Sequence, residues 1–199
     1  MEFKFSEKKI EFDKVLNSLD QFVIDFTSIL NNLNIKYVLV SGYVSILFGR
    51  ARASEDIDII IEKIDPARFK VLWNEIYKEF ECIITENPEE AYGEYLLNDN
   101  SIRFSRKGVY LPNMEVKFPK TTLDFSALQN KLEVRMNGYH LFVSPLEQQI
   151  AFKLMLGSDK DIEDARHLYK MFKDKLDIPL LLEFNRKIKV VDQFNKYIK

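Results

Sequence analysis

The segment from Tyr37 to Ile61 leaves the chain the least freedom. Tyr37-Val38-Leu39-Val40 is a short apolar run with two β-branched residues, the pattern of a strand buried on both faces. Ser41-Gly42 follows as a turn, and Tyr43 to Phe48 reads as a short helix. Asp56-Ile57-Asp58-Ile59-Ile60-Ile61 is a second strand. Asp56 and Asp58 stand at i and i+2, so a strand points both carboxylates to one face. Two neighbouring carboxylates repel, and one of them resists ionisation unless a cation lies nearby. A hard divalent ion such as Mg2+ fits, because it takes one or two protein carboxylates and completes its shell with water and phosphate. Gly42 lets a ligand approach the backbone closely, and the start of the following helix suits an anion. Arg52 and Ser54, just ahead of the carboxylates, are donors of the right type for phosphate. Together these features imply a metal–polyphosphate site.

The remaining pattern expects an α+β fold. Apolar residues at helical spacing from Phe12 to Leu33 predict one long helix over residues 6–33. Asp65 as N-cap and Pro66 at the first helical position open a helix that runs to about Lys78. Phe80–Thr85, Glu94–Leu97, Ile102–Ser105 and Met114–Phe118 read as strands, and Asn137-Gly138 joins Leu132–Met136 to Tyr139–Val143 as a two-residue hairpin. Ser144, Pro145 and Glu147 have the order of a capping box, and helices follow at 145–156, 160–173 and 179–187, with another toward the C-terminus. The expected organisation is a core with an N-terminal helix over residues 1–143 and a helical region over 144–199.

Composition excludes several classes. Of 199 residues 46% are hydrophobic and 30% charged, which rules out a disordered chain. Formal net charge is −2, against the clear basicity of a protein that binds nucleic acid mainly by charge. One cysteine, Cys82, excludes an intrachain disulfide and a multi-cysteine zinc site and fits a reducing cytoplasm. The N-terminus lacks a signal-peptide core, and no apolar run reaches membrane-span length, so no membrane partner is expected. Charge is uneven: Glu79 to Ile102 holds seven acids and no Lys or Arg, while Arg103 to Lys120 is basic. These stretches read as two solvated faces, or as a basic face for phosphate and an acidic one for a partner. His140 and His167 lack metal-ligand spacing, and Tyr92 and Tyr95 are candidates for stacking on a base.

The order strand, Ser41-Gly42, short helix, then Asp56-x-Asp58 on the next strand resembles the nucleotidyltransferase superfamily that includes DNA polymerase beta and kanamycin nucleotidyltransferase. Arg52-x-Ser54-x-Asp56-Ile57-Asp58 is most similar to its small prokaryotic abortive-infection and toxin branch. That branch carries a later helical Lys and a Lys-Asp-x-x-Asp element, matched here by Lys153 and by Lys160-Asp161-Ile162-Glu163-Asp164. The resemblance covers roughly residues 36–169. It implies a mixed sheet with flanking helices and transfer of a nucleoside monophosphate from an NTP to a hydroxyl of RNA, protein or a small molecule. It implies Mg2+ (or Mn2+) held by Asp56, Asp58 and a third carboxylate, for which Glu115 is the match. Ser41, Gly42, Arg52, Ser54, Lys153 and Asp161 become the nucleotide-binding candidates. A toxin–antitoxin or defence role follows from the branch. Two departures stand out: Ser41 replaces the family's first glycine, and Glu115 replaces the usual aspartate. They motivate the alternative of a catalytically silent relative that binds a nucleotide or a protein partner, in the manner of an antitoxin.

Overall fold

The structure, a computed structural model, describes residues 2–198. Among these, nine strands form one mixed sheet: β1 (Lys4–Ser6), β2 (Lys9–Phe12), β3 (Tyr37–Val40), β4 (Asp56–Ile61), β5 (Phe80–Cys82), β6 (Ile102–Arg106), β7 (Asn113–Lys117), β8 (Leu132–Met136) and β9 (Tyr139–Val143). Their order across the sheet is β1-β2-β8-β9-β3-β4-β7-β6-β5. The helices are α1 (Ser18–Asn32), α2 (Gly42–Leu47), α3 (Pro66–Ile76), α4 (Pro88–Glu90), α5 (Thr122–Gln129), α6 (Leu146–Leu156), α7 (Asp159–Phe172), α8 (Ile178–Lys187) and α9 (Val191–Tyr197). The fold is α+β, as the sequence pattern expects. No helix among the described residues is long and apolar enough to cross a membrane.

The two faces of the sheet are unequal. On β4, Ile57, Ile59 and Ile61 alternate with Asp56, Asp58 and Ile60. The first set belongs to the main core, which also takes in Phe26 of α1, Tyr43 of α2 and Trp73 of α3. The second face carries only a small separate cluster, Val38, Ile60 and Ala127, with Val40 and Leu128 packed against it. Helix α5 therefore covers part of that face, and the strand ends that carry Asp56 and Asp58 are left for polar groups.

Several expectations are corrected. Residues 6–33 are not one helix. Their first part lies in the β1–β2 hairpin, which turns at Lys8 (φ 55) and pairs β2 in parallel with β8. Phe12 faces an aromatic cluster with Phe3 and Phe48, while Val15 is 93% exposed, so the helical spacing of these residues was fortuitous. The helix starts only after Asn17, which forms a capping box with Asp20. Glu94–Leu97 is not a strand. The chain runs from α4 through a π-helical turn (Ala91–Tyr95) into a 3-10 turn (Leu96–Asn98), and buries Tyr92 and Leu96 at i and i+4. Ser144 does not cap α6: its hydroxyl donates to Gln149 Oε1 at 2.9 Å, and Glu147 accepts from the Asp177 backbone at 2.8 Å. Helix α5, opened by a Thr121–Asp124 capping box, is an element that the sequence pattern does not predict. Cys82 is a buried free thiol.

Candidate active site

Strand β4 places Asp58 opposite Val40 of β3 on one side and opposite Glu115 of β7 on the other. The parallel β4–β7 register also sets Asp56 beside Asn113 and Ile60 beside Lys117. Across β7, Glu115 faces Arg103 of β6. One face of three adjacent strands thus gathers Asp56, Asp58, Glu115, Asn113, Lys117 and Arg103. Period-two alternation is the whole cause, since each of these residues stands two positions from another on its strand or directly across from one.

The three carboxylates have different surroundings. Asp56 accepts from Asn113 Nδ2 at 2.7 Å, and its backbone carbonyl accepts from Ser54 Oγ at 2.9 Å. Glu115 accepts from Arg103 Nη2 at 2.7 Å. Asp58 has no such cation of its own. Burial pushes its carboxyl above the usual range and the Glu115 charge pushes it further, against the pull of Lys117, a hydrogen bond from the Ser41 side chain and the charge of Lys153. Among the described residues no group of three or more His, Cys, Asp or Glu side chains converges as a metal cage. Asp56 and Asp58 share a face, but Glu115 is turned toward Arg103.

Ser41 holds the turn above Asp58 in a backbone conformation that L residues rarely adopt, φ 61 and ψ −133. Gln149 of α6 keeps it there. Its Nε2 donates to the Ser41 carbonyl at 2.6 Å, and its Oε1 accepts from the Ser41 N–H at 3.2 Å. Gly42 is glycine for a different reason. A Cβ there would lie 2.2 Å from Arg52 Nη2, so the guanidinium packs directly on this Cα.

Arg52 in turn grips Asp164 of α7, with Nε to Oδ1 at 3.1 Å and Nη2 to Oδ2 at 3.0 Å. Arg50 also pairs with Asp164 and donates to the Lys160 carbonyl at 2.8 Å. Lys153 of α6, 2% exposed, reaches Asp164 at 3.0 Å and Asp161 at 2.7 Å. Burial alone would raise Asp161, but the Lys153 and Ser158 hydrogen bonds and the charges of Lys153 and Lys160 outweigh it and hold the carboxyl below its usual range. Three cations and two carboxylates therefore tie the β3–β4 connection to α6 and α7, with one positive charge in excess beside Gly42.

A pocket of about 220 Å3 opens next to Asp58, lined by Ser41, Lys117, Leu123, Gln148, Gln149 and Phe152 among others.

No protein-family model and no curated protein sequence matches this chain. Two solved structures do resemble it along nearly its whole length. An antigenic nucleotidyltransferase-like protein from Paracoccidioides brasiliensis matches at TM-score 0.53 and 16% identity, over 92% of this chain and 94% of its own. The antibiotic-resistance factor ANT(2'')-Ia, known from a solution structure, matches at TM-score 0.55 and 9% identity, over 90% of this chain and 99% of its own. The fold is that of a nucleotidyltransferase.

Within this nucleotidyltransferase fold the sequence-derived candidates fall into two groups. Ser41, Asp56, Asp58, Ser54 and Glu115 lie on or beside one sheet face. Arg52, Lys153 and Asp161 belong to the charged brace, where Arg52 gives Nε and one Nη to Asp164 and the other Nη to the Ala53 carbonyl at 3.1 Å. Gly42 joins the two groups. Sequence reasoning missed Asn113 and Gln149, and it placed Lys117 and Arg103 only in a basic stretch and Asp164 only in a family motif. Asn113 and Lys117 were findable as site residues, standing two before and two after Glu115 on the same strand. Gln149 acts through a tertiary partner and carried no local signal, and the pairings of Arg103 with Glu115 and of Asp164 with Arg50 and Arg52 are likewise tertiary. Tyr92 spends its hydroxyl on the Ile64 carbonyl at 2.9 Å and its ring in the core, so it stacks on no base. His140 and His167 have structural partners, Glu133 and the Phe48 carbonyl.

Proposed function

We propose that this chain is a metal-dependent nucleotidyltransferase that moves a nucleoside monophosphate from an NTP to a hydroxyl acceptor. The observation that carries the reading is Asp58: half-buried, flanked in register by Glu115, two residues from Asp56, and pushed above the usual carboxylate range despite the pull of Lys117 and Lys153. A polyphosphate-bound divalent ion answers that imbalance, because Mg2+ (or Mn2+) takes one or two carboxylates and leaves its remaining positions to phosphate and water. Asp56 and Asp58 are the residues that would hold it, with Glu115 joining once it leaves Arg103. When bound, such an ion withdraws charge from the α-phosphate and lowers the pKa of the acceptor hydroxyl.

The chain's own residues supply the rest. Ser41 and Gly42 border the pocket and the brace, and the excess positive charge of Arg50, Arg52 and Lys153 over Asp161 and Asp164 draws the triphosphate toward Gly42. Glu115, once released from Arg103, would either join the metal or take the proton of the attacking hydroxyl. That oxygen forms the new bond to the α-phosphorus as the bond to the β-phosphate oxygen breaks, and pyrophosphate leaves. Residues 1–143 then carry the carboxylates, while 144–199 contribute Gln149, Lys153 and the pocket wall. A cytoplasmic toxin or defence enzyme that modifies RNA, protein or a small molecule fits the Arg52-to-Asp58 motif.

The test incubates the protein with each α-labelled NTP, Mg2+ or Mn2+, and RNA, polypeptide or small-molecule acceptors beside Asp58→Ala. Label transferred only by the wild type supports the reading. Equal transfer by the variant refutes it. A second reading rests on the Arg103–Glu115 ion pair, which engages the third carboxylate: a silent relative that binds nucleotide, or a protein partner, without turnover. It predicts that NTP raises the melting temperature while no label moves.

A further inference from the structure

Two adjacent glutamines face the pocket beside Asp58, and their hydrogen bonding differs. Gln149 is satisfied at both ends of its amide, by the Ser41 backbone and by Ser144. Gln148 is 6% exposed, and its Nε2 donates to the Leu123 carbonyl at 2.8 Å. That bond fixes which way the amide points. Its Oε1 is left buried with no partner among the described residues. Flipping the amide to satisfy the oxygen would break the Leu123 bond and bring two oxygens together. Buried acceptors are rarely left bare, and an orphan beside a pocket marks a place where a ligand completes the pairing. The other lining groups of this 220 Å3 space include Asp58, Lys117 and Asp124 on the polar side, and Ile60, Leu123 and Phe152 on the apolar side.

We propose that Gln148 is a specificity-determining residue whose Oε1 accepts a hydrogen bond from the nucleoside of the bound NTP. The inference rests on the nucleotidyl-transfer reading of the same site. It names the chemistry the ligand must present: a donor, either an N–H of the base or a hydroxyl of the ribose. A nucleoside that offers only acceptors or a methyl group at this point leaves the oxygen unpaired and is rejected. Such rejection is steep where a site is built around one hydrogen bond. Gln148 is a contact and not part of the chemistry, so its loss changes discrimination more than it changes the maximal rate.

The experiment compares wild type, Gln148→Leu and Gln148→Glu with the preferred NTP, its N-methylated base analogue and its 2′-deoxy and 3′-deoxy analogues. Both kcat/KM and nucleotide affinity by thermal shift are read. The wild type should prefer the parent NTP over one analogue by about 10- to 100-fold, the usual consequence of one unmet buried hydrogen bond. Gln148→Leu should bring that ratio close to one, and Gln148→Glu, which keeps the acceptor but sets an oxygen against the Leu123 carbonyl, should retain the ratio while lowering the melting temperature. Loss of discrimination on the N-methyl arm assigns the donor to the base; loss on a deoxy arm assigns it to the ribose. A ratio unchanged in Gln148→Leu on every arm, or an equal weakening of all nucleotides, overturns the proposal and leaves Gln148 as an anchor for Leu123. Nucleotide that binds without turnover would refute the transfer reading alone, because the affinity ratios still test Gln148. Absence of any nucleotide binding would refute both.

Discussion

Replacing Gly42 with alanine should destabilise the protein through Arg52, although alanine is the better helix former. The new Cβ would lie 2.2 Å from Arg52 Nη2 and 3.2 Å from its Cζ. An exposed arginine would swing away at little cost. This one is held to Asp164 through two bonds, at 3.1 and 3.0 Å, and to the Ala53 carbonyl at 3.1 Å. To clear the methyl group the guanidinium must leave Asp164, which is fully buried. Breaking a buried ion pair outright costs about 3–5 kcal/mol. Here Arg50 and Lys153 stay on the carboxylate, so the loss is nearer that of charge-assisted hydrogen bonds, about 1.5–3 kcal/mol. Against it stands a gain of about 0.5–1 kcal/mol from replacing glycine in a helix. The net expectation is a loss of about 1–2 kcal/mol, or a melting point lower by about 2–8 °C for a domain of this size. Urea denaturation of Gly42→Ala, Arg52→Ala and the double variant measures it as a cycle. In the Arg52→Ala background the added methyl should be neutral or stabilising. A Gly42→Ala cost that persists unchanged without Arg52 would refute the reasoning.

Asp58→Asn should raise the melting temperature at neutral pH while it abolishes transfer. The folded-state carboxyl titrates above the ordinary value of 3.8, so its ionisation opposes folding. Wild-type stability contributed by this group therefore falls as pH rises through the carboxylate range, and the gap between variant and wild type should close again at acid pH, read by thermal melts across pH. Asp161 has the opposite sign: held below 3.8, it contributes stability above that pH and loses it as pH falls through its folded value. Asp161→Asn should accordingly flatten the acid limb of the same melts. Lys153→Met should cost about 3–5 kcal/mol in urea denaturation, because Asp161 loses its main counter-charge in a buried setting. Gln149→Leu removes both clamps on the Ser41 backbone and should cost about 1–3 kcal/mol. Ser41→Gly, which relaxes the positive φ, should recover part of that loss in the double variant.

The sequence was most readable where local rules and tertiary structure agree. Asp56 and Asp58 were legible as a pair because a strand puts alternate residues on one face; Glu115 entered only through the family resemblance, and the β4–β7 register sets it beside Asp58. Asn137-Gly138 was legible because both residues adopt positive φ, at 51° and 83°, which few other pairs tolerate. The N-terminal hairpin was not. Its turn at Lys8 uses a residue with no turn signature, and Phe12, Val15 and Leu16 happen to fit a helical period. The brace was only half legible. Lys153, Asp161 and Asp164 stood out through a family motif, yet nothing local says that Asp164 is the residue that unites Arg50, Arg52 and Lys153. Gln149 was invisible for the same reason, since its task is to hold a backbone turn 108 residues away.

Pyrophosphate release tests the central claim most directly. Wild type and Asp58→Asn would be given the preferred NTP, Mg2+ and the acceptor identified by labelling, and pyrophosphate would be counted against nucleotide attached. The account predicts one pyrophosphate per nucleotide transferred by the wild type and none from a variant that is folded and at least as stable. Equal release from Asp58→Asn would contradict it and remove the β4 carboxylates from the chemistry.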